Sequence, residues 1–242
     1  MNIDLAMQSF QTNGFHTCQN FLTQDQLQTT RSNVAEVLAS LHKSCDLEWI
    51  QHIHTLPEGQ WLHHLAVTTA SPVAAHLLQD PNPILYSSQI AVRLPSAISI
   101  ASTPWHQDGA GAGVCTFWIA LDRIDSTNGG LQVMPGKHME GSLPLKQITE
   151  EKDLDNAINM ASHNVYEVVT NKSNIFKYRL RAGGAGVHHD SLPHCAGANR
   201  SNKPRRVIIL RYMKSDTKPA VGQFKHYRTG EMINRTYTEG SN

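Results

Sequence analysis

The segment Thr103-Pro104-Trp105-His106-Gln107-Asp108-Gly109 sets an imidazole and a carboxylate two positions apart. In an extended strand, positions i and i+2 leave the same face, so His106 and Asp108 can bind one ion. Joined by a second imidazole, they make the two-His-one-carboxylate set that suits ferrous iron and leaves coordination positions open for reactants. Alone the pattern is weak: the chain holds 14 histidines, and a hydrogen-bonded pair at a strand end would look the same. A second segment strengthens it. His188-His189-Asp190-Ser191-Leu192-Pro193-His194 offers three candidates for the missing imidazole, and Arg205-Arg206 opens a strand soon afterwards. Between them Gly197, Asn199, Ser201, Asn202 and Pro204 form a turn, expected to place the histidine and an arginine on adjacent strands at one pocket. Arginine's rigid fork binds a carboxylate bidentately, as the far end of a dicarboxylate co-substrate requires. Neighbours on a strand point to opposite faces, so only one of the pair can enter. Arg211 reads equally as a solvated strand charge or a substrate contact, and His138, after Pro135-Gly136-Lys137, as a turn histidine. Cys195 invites a nucleophile reading, but its surroundings match no cysteine hydrolase.

These residues need a scaffold, and the remaining sequence describes one. Thr23-Gln24-Asp25-Gln26 is a capping box, followed by Leu27, Val34, Val37, Leu38 and Leu41 at helical spacing. Ser71-Pro72 reads as a second helix start, a cap followed by proline, with the helix ending before Asp80-Pro81. From Ile84 the character changes to β-branched or aromatic runs: Ile90 to Val92, Val114 to Leu121, Leu131 to Met134 and Arg206 to Met213. Asn128-Gly129-Gly130 is a tight-turn signal between the second and third. The expected arrangement is one domain over 1–242: a helical layer at about 20–80, a β body at about 84–214, and a lid insertion at 141–181 with a helix around 150–161. Lys+Arg 21 against Asp+Glu 20 leaves a formal net charge of +1, without the basic face of a nucleic-acid binder. The first ten residues lack the basic start and apolar run of a signal peptide, and no stretch approaches a membrane span. Four scattered cysteines suggest a reducing compartment, so a cytoplasmic location is expected, with a small molecule as partner and neither nucleic acid nor membrane.

From about Gly14-Phe15 to Met213 the chain resembles the phytanoyl-CoA dioxygenase-like branch of the Fe(II)- and 2-oxoglutarate-dependent oxygenases. The likeness is densest in Thr103 to Asp108, Trp118 to Asp122 with Asn128 to Leu131, Pro135 to His138, and His194 to Tyr212. It implies a mainly β fold with flanking helices, a double-stranded β-helix of the jelly-roll, cupin-like kind, with iron held by His106, Asp108 and His194. The family's 2-oxoglutarate arginine lies eleven positions after the distal histidine, which selects Arg205 over Arg206. Gln89 and Trp118 match further co-substrate contacts. Ala196 departs from the serine often found two positions after that histidine. The resemblance implies an enzyme that uses Fe(II), 2-oxoglutarate and O2 to hydroxylate an unactivated C–H of a small molecule, releasing succinate and CO2. The family name does not make phytanoyl-CoA the substrate. Relatives that chlorinate carry Ala or Gly in place of the carboxylate, so Asp108 implies a halide-independent oxidation. The rival readings are a non-catalytic β-barrel sensor of a metal or small acid, and a zinc hydrolase on the same His/Asp/His set, for which Arg205 and Gln89 would have no purpose.

Overall fold

Helical spacing starts earlier than the sequence reading put it. In a computed structural model, which describes residues 2–46, 48–97, 102–108, 113–147, 166–217 and 222–235, helix α1 spans Ile3–Asn13. The Asn2 side chain accepts from the Leu5 N–H, Gly14 closes the helix at φ 80, and Ala6 and Phe10 are buried. Ile3, Ala6, Met7 and Phe10 recur at i, i+3, i+4 and i+7, a helical spacing that the sequence reading passed over. The chain then gives strand β1 (Phe15–Cys18) and helix α2 (Gln24–Ala39), whose start bears out the capping box: Gln26 N–H donates to Thr23 Oγ1 at 3.2 Å, and Thr23 N–H to Gln26 Oε1 at 2.9 Å.

Ser71 is not a helix cap. Helix α3 (Gln60–Leu65), a π turn at Ala66–Ala70 and helix α4 (Ser71–Leu78) follow one another without interruption, and the Ser71 N–H donates to the Ala66 carbonyl. Pro72 lacks an N–H and its ring would crowd the carbonyl four residues back, so the wider turn absorbs the proline that the sequence reading took for a new start.

The strands are β2 (Ile50–Gln51), β3 (Ile84–Arg93), β4 (Thr103–His106), β5 (Val114–Ala120), β6 (Leu131–Val133), β7 (Leu145–Gln147), β8 (Tyr166–Val168), β9 (Phe176–Lys177), β10 (Ala185–His189), β11 (His194–Ala196), β12 (Arg205–Met213), β13 (Gln223–Lys225) and β14 (Met232–Asn234). Among the described residues they form a large antiparallel sheet, β1-β10-β5-β12-β3-β2, a smaller one, β4-β11-β6-β9, and two short hairpins, β7-β8 and β13-β14. Ile90, Val92, Phe117, Ile119, Ile208 and Leu210 of the large sheet pack with the helices. The alternate residues Ala91, Trp118, Ala120, Val207 and Ile209 pack with Leu131, Val133 and Ala196 of the smaller sheet and with Leu180 beyond its β9 edge. Both faces of β5 are therefore covered, so all seven of its residues are buried and its sequence is a continuous apolar run instead of an alternation. No helix among the described residues is long and apolar enough to cross a membrane.

Two expected connections differ in kind. The turn at Asn128-Gly129-Gly130 forms, with Gly129 at φ 75 and Asn128 Oδ1 accepting from the Asp125 N–H at 3.0 Å. It leads from β5 in the large sheet to β6 in the small one, and is not a hairpin. The helix expected around 150–161 lies outside the described residues. The flanks of that insertion form the β7-β8 hairpin, anchored where Val168 and Leu143 pack with Trp105, Met134 and Cys195.

His52 and His54, assigned no role, are buried beside β3. Burial, with Arg235 and His54 adding, lowers the His52 pKa to about 3. Burial, with His63 adding, lowers that of His54 to about 4. The unfolded chain therefore takes up protons first: stability is full above pH 6.5 and is lost as pH falls toward these values. Each histidine is expected to cost about 2 kcal/mol at pH 5. Denaturant titrations at pH 7 and pH 5 check this, and a midpoint unchanged between them contradicts it.

Candidate active site

His106 ends β4, and His194 opens β11 directly opposite it. Their rings are tilted, with centroids 4.1 Å apart. The shared-face argument for Asp108 holds in outcome but not in geometry. The strand stops at His106, and Asp108 is held in the following loop, its N–H donating to the Asp190 carbonyl at 2.9 Å. Each imidazole is fixed from behind: His106 Nδ1 lies 2.8 Å from the Pro104 carbonyl oxygen, and His194 Nδ1 2.8 Å from that of Leu192. A carbonyl can only accept, so Nδ1 carries the proton and each Nε2 presents a lone pair. The two Nε2 atoms lie 3.9 and 3.8 Å from Asp108 Oδ1, and the donor atoms of all three side chains fall within 4.8 Å of one another.

Burial lowers the pKa of both imidazoles, which favours the neutral, ligating form. For Asp108 burial pulls upward, but the Arg211 guanidinium and the nearby histidines outweigh it and hold the carboxyl well below its usual value. The supporting groups form one row across the large sheet, because His188, Thr116 and Arg211 are register partners on β10, β5 and β12. Arg211 Nη2 donates to Asp108 Oδ1 at 2.7 Å and Thr116 Oγ1 to Oδ2 at 3.1 Å, while His188 Nε2 stands 3.8 Å from Oδ2. Sequence reasoning missed Thr116, counted His188 only as a rival to His194, and left Arg211 undecided. The available signal was the phase of β12, since 205, 207, 209 and 211 share a face. His189 takes no part: its Nδ1 lies 3.0 Å from Asp190 Oδ1 and its ring 5.8 Å from that of Phe10.

His194 and Arg205 face each other from the two sheets; they do not sit on adjacent strands, as the turn composition had implied. The connection 197–204 carries the chain from the smaller sheet to the larger. Arg205 points inward, 3 % exposed, with Cζ 5.0 Å from the centre of the Trp118 ring. Its Nε has no hydrogen-bond partner among the described residues. Burial, aided by Arg93, lowers its pKa to about 9, so it stays charged at neutral pH as a desolvated cation lacking a full counter-ion. Arg206 points outward and forks onto Asp122, Nε to Oδ2 at 2.9 Å and Nη2 to Oδ1 at 2.7 Å. Opposite Arg205 in register stands Arg93, which the sequence reading did not notice. Its Nη2 donates to Thr103 Oγ1 at 3.0 Å, and its Nη1 lies 3.4 Å from Glu48 Oε2.

His106, His194, Thr116, Arg211, Arg205 and Arg93 line one pocket, whose apolar wall includes Trp118, Ala91, Leu131, Ala196 and Ile209; Asp108 is not among the lining residues but holds Oδ1 3.9 and 3.8 Å from the two imidazoles. Trp118 is thus at the wall. Gln89 shares the inner face, across from Ile209, but is not a lining residue, and its buried Oε1 has no hydrogen-bond partner among the described residues. Cys195 turns away into the cluster of Trp105, Met134 and Val168, where burial pushes its thiol up to about 12, so it is no nucleophile. His138 bonds through Nε2 to the Gln11 carbonyl at 3.1 Å, a structural contact.

The family model described as Phytanoyl-CoA dioxygenase (PhyH) matches residues 10–207. A Caenorhabditis elegans protein described as "Probable phytanoyl-CoA dioxygenase" is 30% identical over 103 residues, 43% of this chain and 31% of that protein. The L-proline trans-4-hydroxylase of Streptomyces griseoviridis is 28% identical over 165 residues, 61% of this chain and 60% of that protein. The chain therefore spans less than two thirds of the length of either curated relative. The structure of EvdO2 from Micromonospora carbonacea var. aurantiaca, complexed with 2-oxoglutarate, is similar at a TM-score of 0.67 and 19% identity, covering 89% of this chain and 94% of that one. A likeness at that identity speaks for the fold, which agrees with the two facing sheets described above. With the family model matched over most of its length, the chain belongs to the phytanoyl-CoA dioxygenase (PhyH) family.

Proposed function

We propose that the protein is an Fe(II)- and 2-oxoglutarate-dependent oxygenase that hydroxylates a C–H of a small molecule, with His106, Asp108 and His194 as metal ligands and Arg205 as the anchor of the co-substrate's distal carboxylate. The observation that carries this reading is one pocket that holds both a convergent His/Asp/His donor set, its Nδ1 atoms already committed, and a buried arginine with an unpartnered Nε. Two nitrogens and one oxygen are the donor chemistry of a ferrous facial triad. A zinc hydrolase would leave Arg205 without a task.

When bound, iron and 2-oxoglutarate supply the oxidising power, by coupling O2 activation to decarboxylation that releases succinate and CO2. The chain's own residues bind and orient. His106 and His194 offer lone pairs at neutral pH because burial keeps them unprotonated. Asp108 stays ionised under Arg211 and Thr116. Arg205 gives a carboxylate a charged, bidentate partner on a face from which Trp118 and Ile209 exclude water. Trp118 flanks that carboxylate. Gln89 stands in the same cross-strand row, with Ile209 between it and Trp118, and is the remaining proposed contact of the co-substrate.

The test is O2-dependent succinate formation from 2-oxoglutarate by the iron-loaded protein, stimulated by a small-molecule substrate from a metabolite screen. The expected result is a slow uncoupled rate that disappears without iron or O2. Tight 2-oxoglutarate binding with no succinate under any condition would instead support a binding module.

A further inference from the structure

The charges around the pocket do not balance. Arg93, Arg205 and Arg211 line it with three positive charges, and Glu48 with one negative. Asp108, whose carboxylate closes the same space, adds a second negative charge. With every histidine counted as neutral, an excess of one positive charge remains. The reading above adds a divalent metal and a dicarboxylate, which cancel, so the excess survives loading. A desolvated charge without a partner is costly, and the substrate is the one component left to supply it.

The geometry singles out where the excess falls. Arg205 is committed to the co-substrate in the reading above. Arg93 has Glu48 beside it at 3.4 Å and Thr103 on its other arm. Among the described residues Arg211 has one ion pair, with Asp108 Oδ1, and this is the oxygen that faces both imidazoles. A metal bound there draws on the same negative charge and leaves Arg211 as the cation without a full counter-ion. Its side chain is 23% exposed, it lines the pocket, and its Nε is buried without a hydrogen-bond partner among the described residues. His188, 1 % exposed and also on the wall, has neither ring nitrogen in a hydrogen bond among the described residues.

We propose that the substrate is an organic monoanion, a carboxylic acid in the first instance, whose charged group docks on Arg211 beside the metal ligands, and that this docking depends on metal binding. The inference rests on the oxygenase reading and narrows it. Because Arg211 touches a metal ligand, the oxidised carbon lies within a few bonds of the acid group. The dependence follows from linkage: the metal releases Arg211 from its Asp108 counter-ion, so metal and acid each strengthen the binding of the other.

The experiment uses the full chain loaded with Ni(II) and saturating 2-oxoglutarate, titrated calorimetrically with short monocarboxylates and with the primary amide of each. We expect the acids to bind about tenfold or more tightly than their amides, the worth of one charge-assisted contact. The preference should vanish in metal-free protein and in Arg211→Met, and persist in Arg93→Met. Binding of Ni(II) and then 2-oxoglutarate is measured first in each variant. If Arg211→Met does not retain the metal, Arg211→Lys replaces it, keeping a charge toward Asp108 without the fork, and the preference must then fall. Acids that bind no better than their amides, or a preference untouched by either Arg211 substitution, would overturn the proposal. So would a loss confined to 2-oxoglutarate affinity, which would assign Arg211 to the co-substrate. Failure of wild-type protein to bind Ni(II) or 2-oxoglutarate at the first step is a separate result, and it strikes the oxygenase reading instead.

Discussion

His194→Ala is expected to abolish divalent-metal binding and succinate formation together while leaving the fold in place. The β11 ladder to β4 and β6 is made by backbone groups that the substitution does not touch, and the missing ring enlarges a pocket that is already open. Removing one of three ligands should weaken metal affinity by more than the roughly 10- to 100-fold that loss of an outer-shell partner costs. His189→Ala is the informative control, because its ring packs toward Phe10 and His138 on the far side of the strand. Ni(II) titration of both variants, with circular dichroism for the fold, checks the assignment. Metal binding retained in His194→Ala and lost in His189→Ala would refute it.

Arg205→Ala is expected to raise the apparent constant for 2-oxoglutarate without changing metal affinity. Truncating one partner of a buried, hydrogen-bonded charge pair costs about 2–5 kcal/mol, which is a factor of roughly 30 or more. Lysine should not rescue it, since a point charge cannot reproduce the fork. Arg206→Ala breaks only the half-buried fork on Asp122, a loss of up to about 1 kcal/mol in stability, and should leave the co-substrate constant unchanged. Titration of the Ni(II)-loaded variants with 2-oxoglutarate reads both. The reverse order of effects would mean that the inward face of β12 is the other one.

The site was legible where the chemistry is local and the periodicity simple. His106 and Asp108 are two residues apart, so residue types and spacing found them; strand alternation said that only one of Arg205 and Arg206 could enter, and the family resemblance chose Arg205. What stayed hidden depends on register between distant strands. Nothing near Thr116 in the sequence says that it stands between His188 and Arg211, because that row joins β5, β10 and β12. Arg93 was overlooked for the same reason: its significance lies in pairing opposite Arg205 across 112 positions of chain. The β body was readable from β-branched runs, but which sheet each run joins was not, since a tight turn such as Asn128 to Gly130 looks the same whether it closes a hairpin or crosses between layers. Proline misled at Ser71-Pro72, where a π turn inside a continuing helix does what a break would otherwise have done.

The pairing of β12 bears on how this chain can change over evolutionary time. Nine consecutive residues, Arg205 to Met213, pair with β3, and Val207 to Met213 pair with β5 as well, with inward and outward side chains alternating up to a bulge at Arg211/Tyr212. A one-residue insertion or deletion that shifted this strand would bring Arg206 into the pocket, turn Arg205 toward the helices, and bury Ile208 and Leu210 among polar groups. The loop 197–204 must therefore absorb every change in length locally. That loop is itself tied down, since Asn199 is buried and donates to the Arg93 and Lys203 carbonyls, so the parity of the strand and the spacing from His194 to Arg205 are held together.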